Sequence, residues 1–423
     1  MTRSAAGSEA VRAAEQAARA SYGRLVAILA AEDRDIARAE DALADALVAA
    51  LDSWPRTGVP RNPDAWLITA ARNRRRNMAR SAAVQRRAEP EILRRIEEGA
   101  LADRQDAPLA DARLRLMFVC AHPAIDATAR APLILQTVLG FDAGRIARAF
   151  LVPPATMSQR LVRAKARIRD AGLTFALPDP EDMAPRLDTV LDAIYAAFGS
   201  GWDGLDTPED PEALTGEAIW LARLIVAALP EEPEPKGLLA LMLYCAARRP
   251  ARRDGEGRFV PLDRQDARLW HRDMVIEAEG LLSAAAQAGR FGRFQCEAAI
   301  QSVHVQRPIT GQLNLAALGT LYDMLIAHTG SLGAQIGRAV VWAEAGDPAR
   351  ALDALEGLPA ERVEMHQPWW VARARVAELA GKTELRAECL LRAIELADDA
   401  SVRAFLEDQL AGLATGEGVR QCP

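Results

Sequence analysis

Alternating runs of Val, Ile, Thr and Tyr are missing from this chain, so half-buried strands have nothing to grow from. The apolar periodicity that is present recurs every three or four residues, in a sequence dominated by Ala and Leu, and it predicts an all-α fold. Long hydrophobic runs are missing too: the longest, Gly237 to Ala247, is far short of the roughly 20 residues that a membrane span needs. The N-terminus lacks a charged start followed by an apolar run. A soluble cytoplasmic protein with no membrane partner is therefore expected. Five cysteines (Cys120, Cys245, Cys296, Cys389, Cys422) are scattered, odd in number and without CxxC spacing, which argues against a disulfide framework and against a zinc ribbon. Buried thiols are expected instead. Cys120 and His122 could begin a metal site, but no second Cys/His pair follows at ligand spacing, so neither metal nor cofactor is expected. Lysine is nearly absent beside abundant arginine, a composition that suggests a high-GC genome.

The most informative stretch runs from Ile146 to Arg169. Ile146, Ala147 and Phe150 form the apolar edge of a first helix, with Asp142 placed to cap it. Val152-Pro153-Pro154 interrupts the pattern, because proline restricts the residue before it and is tolerated only in a helix's first turn. A second helix is then predicted from Ala155 to about Asp170, with Met157, Leu161, Ala164 and Ile168 on one inward face. This is the pattern of a helix-turn-helix. In that motif the start of the second helix meets base edges in the major groove, which nominates Thr156, Ser158, Gln159 and Arg160 as readers. Arg163, Lys165 and Arg167 are placed for phosphates. An amphipathic helical hairpin with a solvated basic face fits the same spacing.

Charge separates the halves. The whole chain carries 52 basic and 58 acidic side chains, a net −6 that would disfavour nucleic acid. Residues 1–178 carry 28 basic and 20 acidic groups, whereas the remainder carries 24 and 38. The front has an electrostatic footprint for a phosphate backbone, and the rear would be repelled by one.

At 423 residues the chain has length for roughly two to four domains. Helices are predicted from Tyr22 to about Ala31, Asp35 to Trp54 and Asn62 to about Ala82. Gly58, Pro60 and Pro63 punctuate the loop from Pro55 to Asn62, and Asn62 or Asp64 is a suitable cap. Residues 83–107 are polar with little periodicity and suit a linker with some helix around Glu91 to Glu98. The expected domains are 1–82, then this linker, 108–176 with the helix-turn-helix, and 177–423.

Ala39 to Pro55 and Ala65 to Arg80 together resemble region 2 of the extracytoplasmic-function (ECF) branch of sigma-70 family bacterial RNA polymerase sigma factors. Residues 113–173 look like their region 4. The two blocks stand in the right order, and the likeness covers about residues 20–175. The resemblance implies that Glu40, Asp41 and Asp45 dock on the β′ clamp helices of core RNA polymerase, with region 4 meeting the β flap. It implies that Arg72, Arg74, Arg75, Arg76 and Arg80 lie along the promoter −10 element. Arg61 and Asn62 belong to the loop that receives a flipped base, a capture that must offset a few kcal/mol of unstacking. Thr156, Ser158, Gln159, Arg160, Arg163 and Lys165 would read the −35 element. Trp54 and Trp66 read better as packing anchors than as stacking platforms. Two departures bear on docking strength: Ala44 and Asp45 stand where relatives commonly have Gln and Glu, and Asn77 where they commonly have Asp.

Leu332 to Leu355 carries the small-residue and Gly-Asp-Pro turn pattern of a tetratricopeptide (TPR)-like helical hairpin, with a second copy from Trp370 to Ala393. Gly346 and Gly381 are 35 positions apart, near the 34-residue period of such repeats. The order of these pieces is similar to the large C-terminal extension of one ECF subgroup. The resemblance implies an extension that regulates or supports activity through an unidentified protein or ligand. Many members have Asn-Glu-Gly-Tyr where this chain has Gly199-Ser200-Gly201-Trp202. Asp254, Asp263, Asp266, Arg252, Arg264, Arg268 and His271 cluster in sequence, as a small-molecule pocket or as an ion-paired loop that closes the scaffold. Without a nucleophile-base pair at diagnostic spacing, no enzyme is expected. The expected function is a sigma factor. A stand-alone helix-turn-helix regulator and a TPR-type interaction adaptor are the alternatives.

Overall fold

The computed structural model describes residues 2–81, 106–150, 152–202 and 211–414. Every regular element among these residues is helical, and the nearest approach to a sheet is one isolated antiparallel bridge, Arg253 to Phe259. The all-α expectation holds. By contacts the chain divides into two compact units, 1–200 and 201–423.

Unit 1 begins with α1 (Thr2–Asp33), α2 (Ile36–Thr57) and α3 (Pro63–Ser81). Helix α1 starts some twenty residues before the expected Tyr22, because the preceding segment is rich in alanine and free of proline, and high helix propensity extends the element. Arg34, at φ 57°, and Asp35 alone separate α1 from α2. The Asp35 carboxylate caps α2 by accepting from the Arg38 amide at 3.1 Å. Ile36, Ala39, Leu43, Ala46, Ala50 and Trp54 recur at helical spacing and are buried. Helix α2 runs three residues beyond Trp54, through Pro55. The Arg56 guanidinium and the Thr57 hydroxyl donate back to the carbonyls of Asp52 and Ser53, both at 3.1 Å, so that last turn keeps partners. Gly58 then ends the helix at φ 86°. Asn62 caps α3 with its side-chain oxygen 3.1 Å from the Ala65 amide, and Pro63 takes the first helical position. Trp54 and Trp66 are buried and meet edge to face with centroids 5.5 Å apart, the packing anchor that the sequence suggested.

The expected linker at 83–107, with its helix around Glu91 to Glu98, lies outside the described residues as far as 105. Helices α4 (Asp106–Cys120), α5 (Ala127–Thr137), α6 (Ala143–Ala149) and α7 (Pro154–Asp170) follow, then α8 (Pro180–Trp202). Asp142 caps α6 through the Arg145 amide at 2.9 Å. Met157, Leu161, Ala164 and Ile168 of α7 are all buried, as their spacing requires.

Unit 2 is built around the helix Pro233–Ala247, whose apolar run is buried on nearly all sides. No helix among the described residues is long and apolar enough to cross a membrane. The Glu234 carboxylate caps the neighbouring helix Arg293–Thr310, accepting from the amides of Phe294 at 2.9 Å and Gln295 at 3.2 Å. Further on, the helix pairs Leu332–Glu344 with Pro348–Glu356 and Gln367–Leu379 with Thr383–Glu395 share one turn geometry. Gly346 and Gly381 both have positive φ, 97° and 70°. The next amide in each turn bonds back to an equivalent carbonyl, Asp347 to Trp342 at 3.0 Å and Lys382 to Ala377 at 2.9 Å. Ile336, Ala339, Leu352, Leu355, Trp369 and Val376 pack the two pairs into one core. The polar loop after Ala247 folds back on the last helix: Arg253 pairs with Asp399 at 2.7 Å, and Phe259 meets Phe405 with centroids 5.5 Å apart. Asp254 pairs with Arg258 at 2.8 Å and Asp266 with Arg268 at 2.7 Å, both pairs lying within the loop itself near the surface.

Candidate nucleic-acid and polymerase interface

Helix α7 is positioned by its buried stripe, which sends the opposite side outward. Ser158, Gln159 and Arg163 are exposed, while Thr156 and Arg160 are half-buried. Arg160, Arg163 and Arg167 line one side of a cleft of about 460 Å³, and Asp126, Thr128 and Ala129 at the start of α5 line the other. The Asp126 carboxyl is held below the usual carboxylate range by the hydroxyl and amide of Thr128, and Arg160 and Arg130 add to that effect. Three guanidiniums against one carboxylate leave the cleft cationic, while the N-terminus of α5 is already capped by the Asp126 carboxylate through the Thr128 amide at 2.9 Å. Arg167 also donates to the Ala124 carbonyl at 3.3 Å, and Arg130 to the carbonyls of Ile125 and Pro123, so the wall is fixed. Lys165 is different. Its side chain is only 11% exposed and its ammonium sits 2.6 Å from Glu40 of α2.

Glu40 therefore meets Lys165 of α7, and it also accepts from the Tyr22 hydroxyl at 3.3 Å. That carboxylate and burial together push the Tyr22 phenol up, burial being the larger cause. Asp41 is exposed, and Asp45 pairs with Arg74 at 3.1 Å. On the same side of α2 the side chains of Val48 and Leu51 are 59% and 41% exposed. Neither residue belongs to a motif visible in the sequence. The signal was their position outside the buried Ile36–Trp54 stripe.

The basic helix α3 divides its arginines. Arg72 pairs with Glu32 at 2.7 Å near the surface. Arg75 is only 12% exposed and is held by Glu32 at 3.2 Å, by Asp33, and by the Leu29 carbonyl at 3.5 Å. Arg76 and Arg80 lie on the last turns of α3, and their side chains fall outside the described residues. Arg61 is exposed in the loop before α3, whereas the Asn62 side chain is engaged in capping. Exposed pairs such as Arg72 with Glu32 contribute about 0–1 kcal/mol, so Arg72 and Arg74 are held only weakly by their carboxylates. Arg75 cannot be released without opening the bundle.

Cys120 and His122 have structural partners. The Cys120 thiol is buried against the Thr137 hydroxyl at 3.5 Å, and burial pushes it up to about 12. His122 accepts the Ala124 amide at 3.0 Å and closes the turn before α5.

Residues 18–84 match Sigma-70 region 2, the segment that holds the second half of α1 and all of α2 and α3. Residues 186–286 match a family of unknown function, DUF6596. An uncharacterised protein of Rhizobium meliloti (strain 1021) is 39% identical over 386 residues, spanning 90% of this chain and 91% of its own length. No solved structure matches the chain. The three-helix front bundle, its acidic α2 and its arginine-bearing α3 thus coincide with a Sigma-70 region 2, and over nearly its whole length the chain belongs to one family with the Rhizobium protein.

Proposed function

We propose that the chain is an ECF-type sigma factor that acts in the cytoplasm, binds core RNA polymerase and directs initiation at a small promoter set. The observation that carries this reading is the coexistence, within one compact unit, of a sigma-70 region 2 and a helix-turn-helix with an arginine-lined cleft. Region 2 docks on the β′ clamp helices through the face of α2 that carries Asp41, Asp45, Val48 and Leu51, an apolar patch rimmed by carboxylates. Arg61, Arg72 and Arg74 then track the −10 element, and Asn62 orders the adjoining loop. Region 4 meets the β flap and reads the −35 element through Thr156, Ser158, Gln159 and Arg160, with Arg163 and Arg167 on phosphates. Lys165 and Glu40 become available once their mutual pair separates.

The rear unit acts as a TPR-like scaffold that governs activity through a protein or ligand partner. Its support is the repeated turn at Gly346 and Gly381 and the shared core of the two helix pairs. Transcript mapping after overexpression tests the assignment. A set of new start sites sharing two spaced sequence elements is expected, and an unchanged transcript map would contradict it.

A further inference from the structure

Resting on the reading of α7 as the −35 reader, we propose that Asp126, the capping residue of α5, is a second specificity-determining residue that reads one G·C pair of that element together with Arg160. The two side chains line opposite walls of the cleft of about 460 Å³ between α5 and α7. Among the described residues the Arg160 guanidinium, although half-buried, has no hydrogen-bond or ion-pair partner. Asp126 is only half used. Its Oδ1 accepts the Thr128 amide at 2.9 Å and the Thr128 hydroxyl, and no donor among the described residues reaches Oδ2. Thr128 and, less strongly, Arg160 and Arg130 keep that carboxylate charged. A donor fork and a single acceptor therefore stand across the cleft from each other without joining.

A G·C pair carries the complement of that pattern on its major-groove edge. Guanine offers N7 and O6 to a guanidinium fork, and cytosine beside it offers the N4 amino group to a carboxylate. An A·T pair fits less well, because the second arm of the fork would meet the N6 amino donor of adenine. A phosphate fits worst, since it would set its negative charge against Asp126. The carboxylate thereby favours a base edge over the DNA backbone at this point of a cationic cleft, which is specificity gained by penalising the wrong occupant. Arg163 and Arg167, both exposed, remain for flanking phosphates. The turn that carries Asp126 is already fixed. Arg167 donates to the Ala124 carbonyl at 3.3 Å, and Arg130 donates to the carbonyls of Ile125 and Pro123 at 2.9 and 3.1 Å, so little ordering is left to be done on binding.

Asp126→Asn separates base reading from capping, because asparagine and aspartate cap helices about equally well. Its oxygen stays committed to the cap, so an NH2 donor replaces Oδ2 and meets the cytosine amino group donor to donor. The melting temperature of the full-length variant should match wild type. Each chain, bound to core polymerase, is titrated with the promoter duplex recovered by transcript mapping and with duplexes in which every −35 base pair is replaced in turn. Wild type should lose affinity at least ten-fold on replacement of one particular G·C pair. Asp126→Asn and Arg160→Ala should each shrink that penalty at least three-fold, at that pair and at no other, and the double variant should shrink it little further because both side chains read one pair. Base preference unchanged at every position would reduce Asp126 to a cap, and a uniform gain in affinity for all duplexes would make it a repeller of phosphate. Either result overturns the proposal, as do effects of the two variants at different positions, and all three leave α7 as the −35 reader. A wild-type complex indifferent to every −35 replacement would instead overturn the reading of α7, and the proposal with it.

Discussion

Arg75 of α3 lies 3.2 Å from Glu32 of α1, which puts an arginine from the expected promoter-binding row inside the helical bundle. The neighbouring Arg72 shares the same carboxylate from a more open position, 2.7 Å away. Their consequences differ. Arg75→Ala leaves Glu32 and Asp33 facing an empty, largely buried site, and it should lower stability by about 2–3 kcal/mol in denaturant titration. Arg72→Ala should cost under about 1 kcal/mol. If the two lose equal stability, Arg75 is not a tether.

On α7, the proposed reader of the −35 element, Gln159 and Arg163 are exposed and support no core. Alanine at Arg163 should weaken duplex binding for all sequences and reduce the slope of log affinity against log salt by about 0.9. Alanine at Gln159 should instead relax base preference at one −35 position, at about 1–3 kcal/mol. Melting temperatures of both should match wild type. Binding measured across a salt series and a set of single-base promoter variants separates the two effects.

The bounds and inward stripe of α6 and α7 were legible because their signals are local. Asp142, the Pro153-Pro154 break and the Met157–Ile168 stripe act within a few residues, and each performs the expected role. Asn62 as a cap and the Trp54–Trp66 anchor were legible for the same reason. The fates of Glu40 and Lys165 were not legible, since a pair 125 positions apart depends on how two domains pack. Arg72 to Arg76 read as one basic row, and only the packing of α3 on α1 decides that Arg75 turns inward. Pro55 marked a helix end by rule, yet the side chains of Arg56 and Thr57 carry α2 past it.

Val48 and Leu51 supply an apolar centre to the proposed polymerase-docking face. Val48→Asp or Leu51→Asp should each weaken binding to core polymerase about ten-fold, or about 1.4 kcal/mol. Fold stability should stay within about 0.5 kcal/mol, because both side chains already face solvent. Equilibrium binding to labelled core enzyme checks this. Unchanged affinity would move the docking face elsewhere.

Burial, with Arg248 and Arg307 nearby, pushes the His304 imidazole down to about 4. In the unfolded chain it would titrate at its ordinary value of about 6.5. The unfolded state therefore binds the extra proton between these two values. The stability contributed by neutral His304 is fully present above about pH 6.5, falls as the pH drops toward 4, and levels off below that. The loss should be of order 2 kcal/mol once partial solvent access is allowed for. His304→Gln should flatten this acid limb in denaturant titrations at pH 4 to 7. A limb of unchanged slope would assign the acid sensitivity to other groups.

The proposed function makes this chain, with its Sigma-70 region 2, a working initiation factor. Run-off transcription with purified chain, core polymerase and a mapped promoter tests it most directly. A discrete transcript that requires the chain and disappears when the −10 or −35 element is scrambled is expected. Duplex binding without any chain-dependent transcript would contradict it, and would make the protein a helix-turn-helix regulator that does not drive initiation.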